Sequence, residues 1–128
     1  MLHMKQVAVA VLVLLLSVSA VFAGGYQNIM SPEAKGLVDK KKNVYLLDVR
    51  TPDEFRQARL RGAVLIPINE IEKRFKEIPR NRPVVIYCAV GTRSNLVAGF
   101  LVSKGYTDVY NVSDGIVGWY RNGFPIER

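Results

Sequence analysis

The feature that most constrains this fold is the run Val84-Val85-Ile86-Tyr87-Cys88-Ala89-Val90-Gly91-Thr92-Arg93-Ser94. Four β-branched or aromatic residues without a polar break read as a strand buried on both faces, as in the interior of a parallel sheet. A short loop follows, opened by the only cysteine of the chain, and a helix starts behind it. A strand that passes through a tight loop into a helix aims several backbone N–H groups at one point, with the positive end of the helix dipole behind them. That point attracts an anion, either the Cys88 thiolate or a negative group bound beside it. A lone cysteine is often only a small buried hydrophobe. Gly91, Arg93 and the hydroxyls of Thr92 and Ser94, all close behind Cys88, favour a reactive thiol instead.

Around this stretch, strand and helix signals alternate. Tyr26 to Ile29 is a short strand, and Ser31-Pro32-Glu33 is a helix start with Ser31 as N-cap. Val44 to Val49 is a second doubly buried strand, and Thr51-Pro52-Asp53-Glu54 fits a capping box at the next helix. Val64-Leu65-Ile66 is a brief strand. Ile68 to Ile78 has helical spacing with Ile71, Phe75 and Ile78 inward. Asn95 to Lys104 is expected to turn Leu96, Val97, Phe100 and Leu101 inward and to end at Gly105. Val109 to Val112 is the last strand, and Asp114-Gly115 turns into a final helix around Trp119. Such alternation with right-handed crossovers predicts a parallel sheet covered by helices on both faces.

Residues 1–23 are a separate object. Lys5 precedes an almost unbroken apolar run from Val7 to Val18, and Val21-Phe22-Ala23 leads into Gly24-Gly25. The run is shorter than the ~20 residues a membrane span needs, and the pattern is that of a cleaved signal peptide, leaving residues 24–128 as one domain. The product is expected to be exported, to the periplasm or beyond, with no stable membrane association. One cysteine excludes an intramolecular disulfide and a Cys-based zinc site. The only histidine, His3, falls in the leader, so no Cys-His dyad can operate in the domain. The formal charge of +7 comes from scattered Lys and Arg without interleaved aromatics, which argues against a nucleic-acid platform and for a basic surface that draws in small anions. No metal or cofactor is expected, and oligomeric state is not legible.

Sites in open parallel sheets lie beyond the carboxyl ends of the strands, where Cys88, Asp48 and Arg50 all fall. There the cysteine loop, the run Leu47 to Phe55, the Gly62-Ala63 to Pro67 segment, and Asp114-Gly115-Ile116 with Trp119 and Gly123-Phe124-Pro125 together resemble a single-domain rhodanese-type sulfurtransferase. The resemblance covers nearly all of residues 24–128. It implies a five-stranded parallel sheet in the order 1-5-4-2-3, with Cys88 carrying the transferred sulfur as a persulfide. A donor such as thiosulfate would supply the sulfur, and a thiol or cyanide would accept it. It also implies that the loop residues Ala89, Val90, Gly91, Thr92, Arg93 and Ser94 bind substrate, with Asp48 and Arg50 in support. Two roles stay open for Arg93: binding the donor anion, or pairing with an acidic neighbour to fix the loop. For Asp48 and Arg50 the choice is between holding neighbouring loops together and touching substrate.

Members of the family often have His, Pro and Gly where Arg59, Arg61 and Asp114 stand, so different turns are expected around Gly62 and Gly115. Ala89 and Val90 are apolar where efficient thiosulfate users often carry basic residues, which leaves the donor open. Two other classes compete. A Cys-dependent phosphatase or arsenate reductase would use the same thiolate, but its loop places arginine after five residues, whereas four separate Cys88 from Arg93. A non-catalytic sulfur-relay or partner-binding module would share the fold alone.

Overall fold

The computed structural model describes residues 25–128; the expected leader lies outside them. Five strands, β1 (Gln27–Ile29), β2 (Tyr45–Asp48), β3 (Val64–Leu65), β4 (Val84–Tyr87) and β5 (Val109–Val112), form one sheet in the order β1-β5-β4-β2-β3. Every pairing in it is parallel. The central strand β4 is buried along its length, which is why its sequence lacks the polar alternation of a one-sided strand. Its side chains still alternate between two cores. Val85 and Tyr87 pack with Leu46, Val112 and Trp119, beneath α1 (Ser31–Lys40) and α5 (Gly115–Arg121). Val84 and Ile86 pack with Leu47, Ile71, Val97 and Leu101, beneath α3 (Ile71–Arg74) and α4 (Thr92–Ser103). Burying each large aliphatic side chain contributes roughly 1.5–3 kcal/mol. Cys88 keeps the parity of Val84 and Ile86 and so lies on the α4 side.

The short α2 (Pro52–Gln57) carries the expected capping box: Thr51 Oγ1 accepts the Glu54 amide at 3.2 Å, and the Glu54 carboxylate accepts the Thr51 amide at 3.0 Å. Three local expectations need correction. Ser31 is not an N-cap but the first residue of α1, with its amide capped at 2.9 Å by the Asp114 carboxylate from the far end of the chain. The Ile68 to Ile78 segment is helical only in part, since α3 is flanked by single 3₁₀ turns at Ile68–Glu70 and Phe75–Glu77. The Tyr106 hydroxyl bonds the Phe75 and Ile78 carbonyls at 2.8 and 2.7 Å, so the end of this segment is set by a distant ring. Helix α4 begins at Thr92, and its inner face is Ser94, Val97, Ala98 and Leu101, leaving Leu96 exposed. Among the described residues no helix is long and apolar enough to cross a membrane.

Candidate active site

Strand β4 ends at Tyr87, and the chain turns through Cys88 to Gly91 into α4. Two glycines close this loop against the turn that follows β5. Gly91 has φ +98°, and a Cβ there would stand 2.2 Å from the Ser113 carbonyl oxygen. Gly115 has φ +61°, and its Cβ would stand 2.2 Å from the Ala89 carbonyl oxygen. Both positions combine a left-handed backbone with an approach no side chain permits. Across the contact, the Ile116 amide donates to the Cys88 carbonyl at 2.9 Å and the Val117 amide to the Ala89 carbonyl at 3.1 Å. The start of α5 is therefore committed to holding the cysteine loop.

Inside the loop the donors converge on sulfur. Cys88 Sγ accepts the Gly91 amide at 3.2 Å and the Ser94 amide at 3.4 Å, and Ser94 Oγ lies 3.3 Å away. A thiolate accepts from all three, because the serine hydroxyl is free to donate. Burial pushes the Cys88 thiol up, since the residue is only 1% exposed, but the Ser94 hydroxyl and the amides of Ser94, Gly91 and Val90 outweigh it and hold the thiol below its ordinary value. This is a cysteine activated by fixed dipoles rather than by a neighbouring base.

The remaining loop residues divide by what they touch. Val90 and Thr92 are exposed at the rim, and Ala89 is half-buried beneath α5. Arg93 turns from the sulfur to Glu54: its Nη1 donates to Oε1 at 2.8 Å and its Nη2 to Oε2 at 3.0 Å. This fork, aided by the Thr51 amide and hydroxyl, outweighs partial burial and holds the Glu54 carboxyl at about 2, from an ordinary 4.5. Of the two roles open to Arg93, the geometry has the ion pair that fixes the loop. Asp48 and Arg50 form a second, buried pair at the end of β2, with Arg50 Nε on both Asp48 oxygens at 3.0 and 3.1 Å and Nη2 at 2.7 Å from Oδ2. Arg50 Nη2 also donates to the Ala58 carbonyl at 2.6 Å, tying β2 to the end of α2. Burial opposes the Arg50 charge, but Asp48 outweighs it and keeps the guanidinium protonated.

Glu54 is the site residue that sequence reasoning missed. It was legible only as half of a capping box, and the contact that matters spans 39 residues. Among the described residues no cluster of His, Cys, Asp and Glu could hold a metal ion.

Comparison with known proteins bears directly on this geometry. The Rhodanese-like domain family matches residues 30–122, which include every element from α1 to α5. The chain belongs to the rhodanese-like domain family. A protein named Sulfurtransferase from Allochromatium vinosum is 42% identical over 85 residues, 66% of this chain and 79% of its own. The thiosulfate sulfurtransferase GlpE of Actinobacillus succinogenes is 34% identical over 99 residues, 77% of this chain and 88% of its own. Among solved structures, a rhodanese-related protein from Thermoplasma volcanium superposes with a TM-score of 0.72 at 28% identity, over 80% of this chain and 98% of that one. These two sequence relatives are sulfurtransferases by name, and the sheet order agrees with that expected of a rhodanese.

Within this rhodanese-like domain the unusual residues found local work. Asp114 caps α1 and so joins the first and last helices. Arg59 and Arg61 both face Glu127, at 3.9 and 3.3 Å, and the Arg59 and Glu127 backbones pair as an isolated antiparallel bridge.

Proposed function

We propose that this domain is a sulfurtransferase that moves a sulfane sulfur through a persulfide on Cys88. The observation that carries the reading is the convergence of two amides and a hydroxyl on Cys88 Sγ, with no histidine among the described residues. The thiolate attacks the outer sulfur of a donor such as thiosulfate. The donor S–S bond breaks, and its electron pair leaves with sulfite, so Cys88 is left as a persulfide anion. An acceptor thiolate or cyanide then attacks the outer sulfur, and the electron pair of the S–S bond returns to Cys88. The loop dipoles hold the Sγ thiolate before it attacks the donor and stabilise the charge that returns to Sγ at the second cleavage, without having to reorganise.

The same geometry disfavours phosphate-ester or arsenate chemistry. A terminal sulfur is a slim reactant that suits a thiol as deeply covered as Cys88, whereas a phosphoryl group needs a cation around its three oxygens. Arg93, the one arginine in the loop, is engaged by Glu54. Export completes the proposal: residues 1–23 act as a cleavable leader, so the intact mass of the protein from its producing cell should begin at Gly24.

The test pairs mass spectrometry with a thiocyanate assay. Incubation with a sulfane donor should add one sulfur to Cys88, and cyanide should remove it as thiocyanate. Cys88→Ala should fold, since it loses little volume, and should do neither. Thiocyanate formation by Cys88→Ala at the parent rate, or hydrolysis of p-nitrophenyl phosphate that Cys88→Ser abolishes, would overturn the assignment.

A further inference from the structure

The loop rim has a property the persulfide chemistry alone does not require. Val90 at its tip is 59% exposed, and on α5 Tyr120 and Val117 are 60% and 36% exposed. Val117 and Tyr120 line an open, largely apolar groove with Ile116 and Ile126, and Arg121 and Arg128 also line it. The groove adjoins the backbone of the cysteine loop, because the Ile116 and Val117 amides are the ones bonded to the Cys88 and Ala89 carbonyls. Apolar and aromatic side chains exposed together beside a reactive group mark a docking surface, and tyrosine and arginine are favoured anchors in such surfaces.

The charges say what kind of partner fits. Arg50, at the inner end of the groove, is neutralised by Asp48, and Glu127, the nearest carboxylate along the chain, is turned toward Arg59 and Arg61. Arg121 and Arg128 are exposed and enter no salt bridge among the described residues. A second copy of this chain would bring two pairs of arginines together across a two-fold axis, which costs rather than contributes. A small dianion finds an apolar floor and no free cation at the loop, because Arg93 is held by Glu54.

We propose that this groove docks an acidic protein whose own thiol exchanges sulfur with Cys88, so that the physiological reactant is protein-borne; this rests on the persulfide reading above. The partner lays apolar side chains against Val117 and Tyr120, sets carboxylates toward Arg121 and Arg128, and brings its thiolate to the outer sulfur of the Cys88 persulfide. The sulfur passes to the partner as its persulfide, and the electron pair of the broken S–S bond returns to Cys88.

The experiment loads Cys88 with inorganic polysulfide and follows sulfur transfer by mass spectrometry. Three probes serve as acceptors: a cysteine peptide with leucines beside the thiol and aspartates outside them, its counterpart with lysines, and free cysteine. The acidic peptide should reach half-saturation at a concentration at least about tenfold lower than the lysine peptide at low salt, with the advantage shrinking at high salt. The Arg121→Glu, Arg128→Glu double variant should reverse that preference, and Tyr120→Ala should weaken both peptides. Neither variant should change the rate to free cysteine by more than about twofold, which separates docking from misfolding. Equal use of the two peptides, or an unchanged preference in the double variant, overturns the proposal. So does sedimentation that finds a dimer dissolved by Tyr120→Ala, which would assign the groove to a second copy. If the loaded sulfur passes to no thiol, free cysteine included, the sulfurtransferase reading itself fails.

Discussion

Replacing Glu54 by Gln isolates the charge that holds Arg93 while leaving the shape of the site alone. Glutamine can still accept the Thr51 amide, since capping boxes use either residue, so α2 is kept. What is lost is the carboxylate on the Arg93 fork. The fall of the Glu54 carboxyl from 4.5 to about 2 corresponds to about 3 kcal/mol of preference for the ionised form. Both side chains are about a third exposed, and solvent screening reduces that to roughly 1–2 kcal/mol of stability at neutral pH. At a urea dependence of roughly 1–2 kcal/mol/M, the unfolding midpoint should fall by about 1 M. The pH dependence gives the stricter test. A carboxyl whose folded value lies below its unfolded one contributes fully above the unfolded value and loses that contribution as the pH falls through the folded one. The gap between parent and variant should therefore be complete above about pH 4.5 and close toward about pH 2. Freed from the fork, Arg93 should also become available to an anionic donor, and the KM for thiosulfate should fall about tenfold, the worth of one charge-assisted bond. Urea unfolding at pH 7 and near pH 3, with thiosulfate kinetics alongside, decides it. A gap that is the same at both pH values, or a thiosulfate KM that rises, would refute the argument that Glu54 both stabilises the loop and occupies its arginine.

Ser94→Ala removes the only side-chain donor to Cys88 Sγ among the described residues, a bond to a charged group worth about 1.5–3 kcal/mol; the pH midpoint of iodoacetamide alkylation should move upward, and a midpoint at or below the parent's would count against the hydroxyl. Asp48→Asn leaves Arg50 buried without its counter-charge and should cost about 3–5 kcal/mol by denaturant unfolding; a cost under 1 kcal/mol would mean that the pair does not hold the β2 end. Gly91→Ala forces a Cβ to within 2.2 Å of the Ser113 carbonyl in a left-handed backbone, and should lose at least about 2 kcal/mol together with the alkylation rate of Cys88.

The fold was legible because its information is local and repetitive. The runs Tyr45 to Asp48 and Val84 to Tyr87 lack polar alternation only because both their faces are covered, so the sequence by itself determined a buried parallel sheet with helices between the strands. The capping box at Thr51 and the glycine at Gly105, whose φ is +95°, were likewise readable within a few residues. The Cys88 loop could be found for the same reason, since strand, thiol, glycine and helix start lie within eleven consecutive positions.

Tertiary structure decided what depends on residues far apart in the chain. Ser31 reads in the sequence as the cap of its own helix, but its amide is satisfied by Asp114, 83 residues away. Arg93 appeared as ready to meet a donor as to fix the loop, and only the packing of α2 beside α4 puts the Glu54 carboxylate within reach of its fork. Leu96 fitted a helical stripe that shifted once the helix began at Thr92 and Ser94 turned inward to the sulfur. The groove along α5 had no sequence signature, because its floor joins Ala58 and Ile126 to one face of a seven-residue helix. Periodicity reports which face of an element is apolar; which distant group satisfies a charge or a free N–H is fixed only when the elements pack.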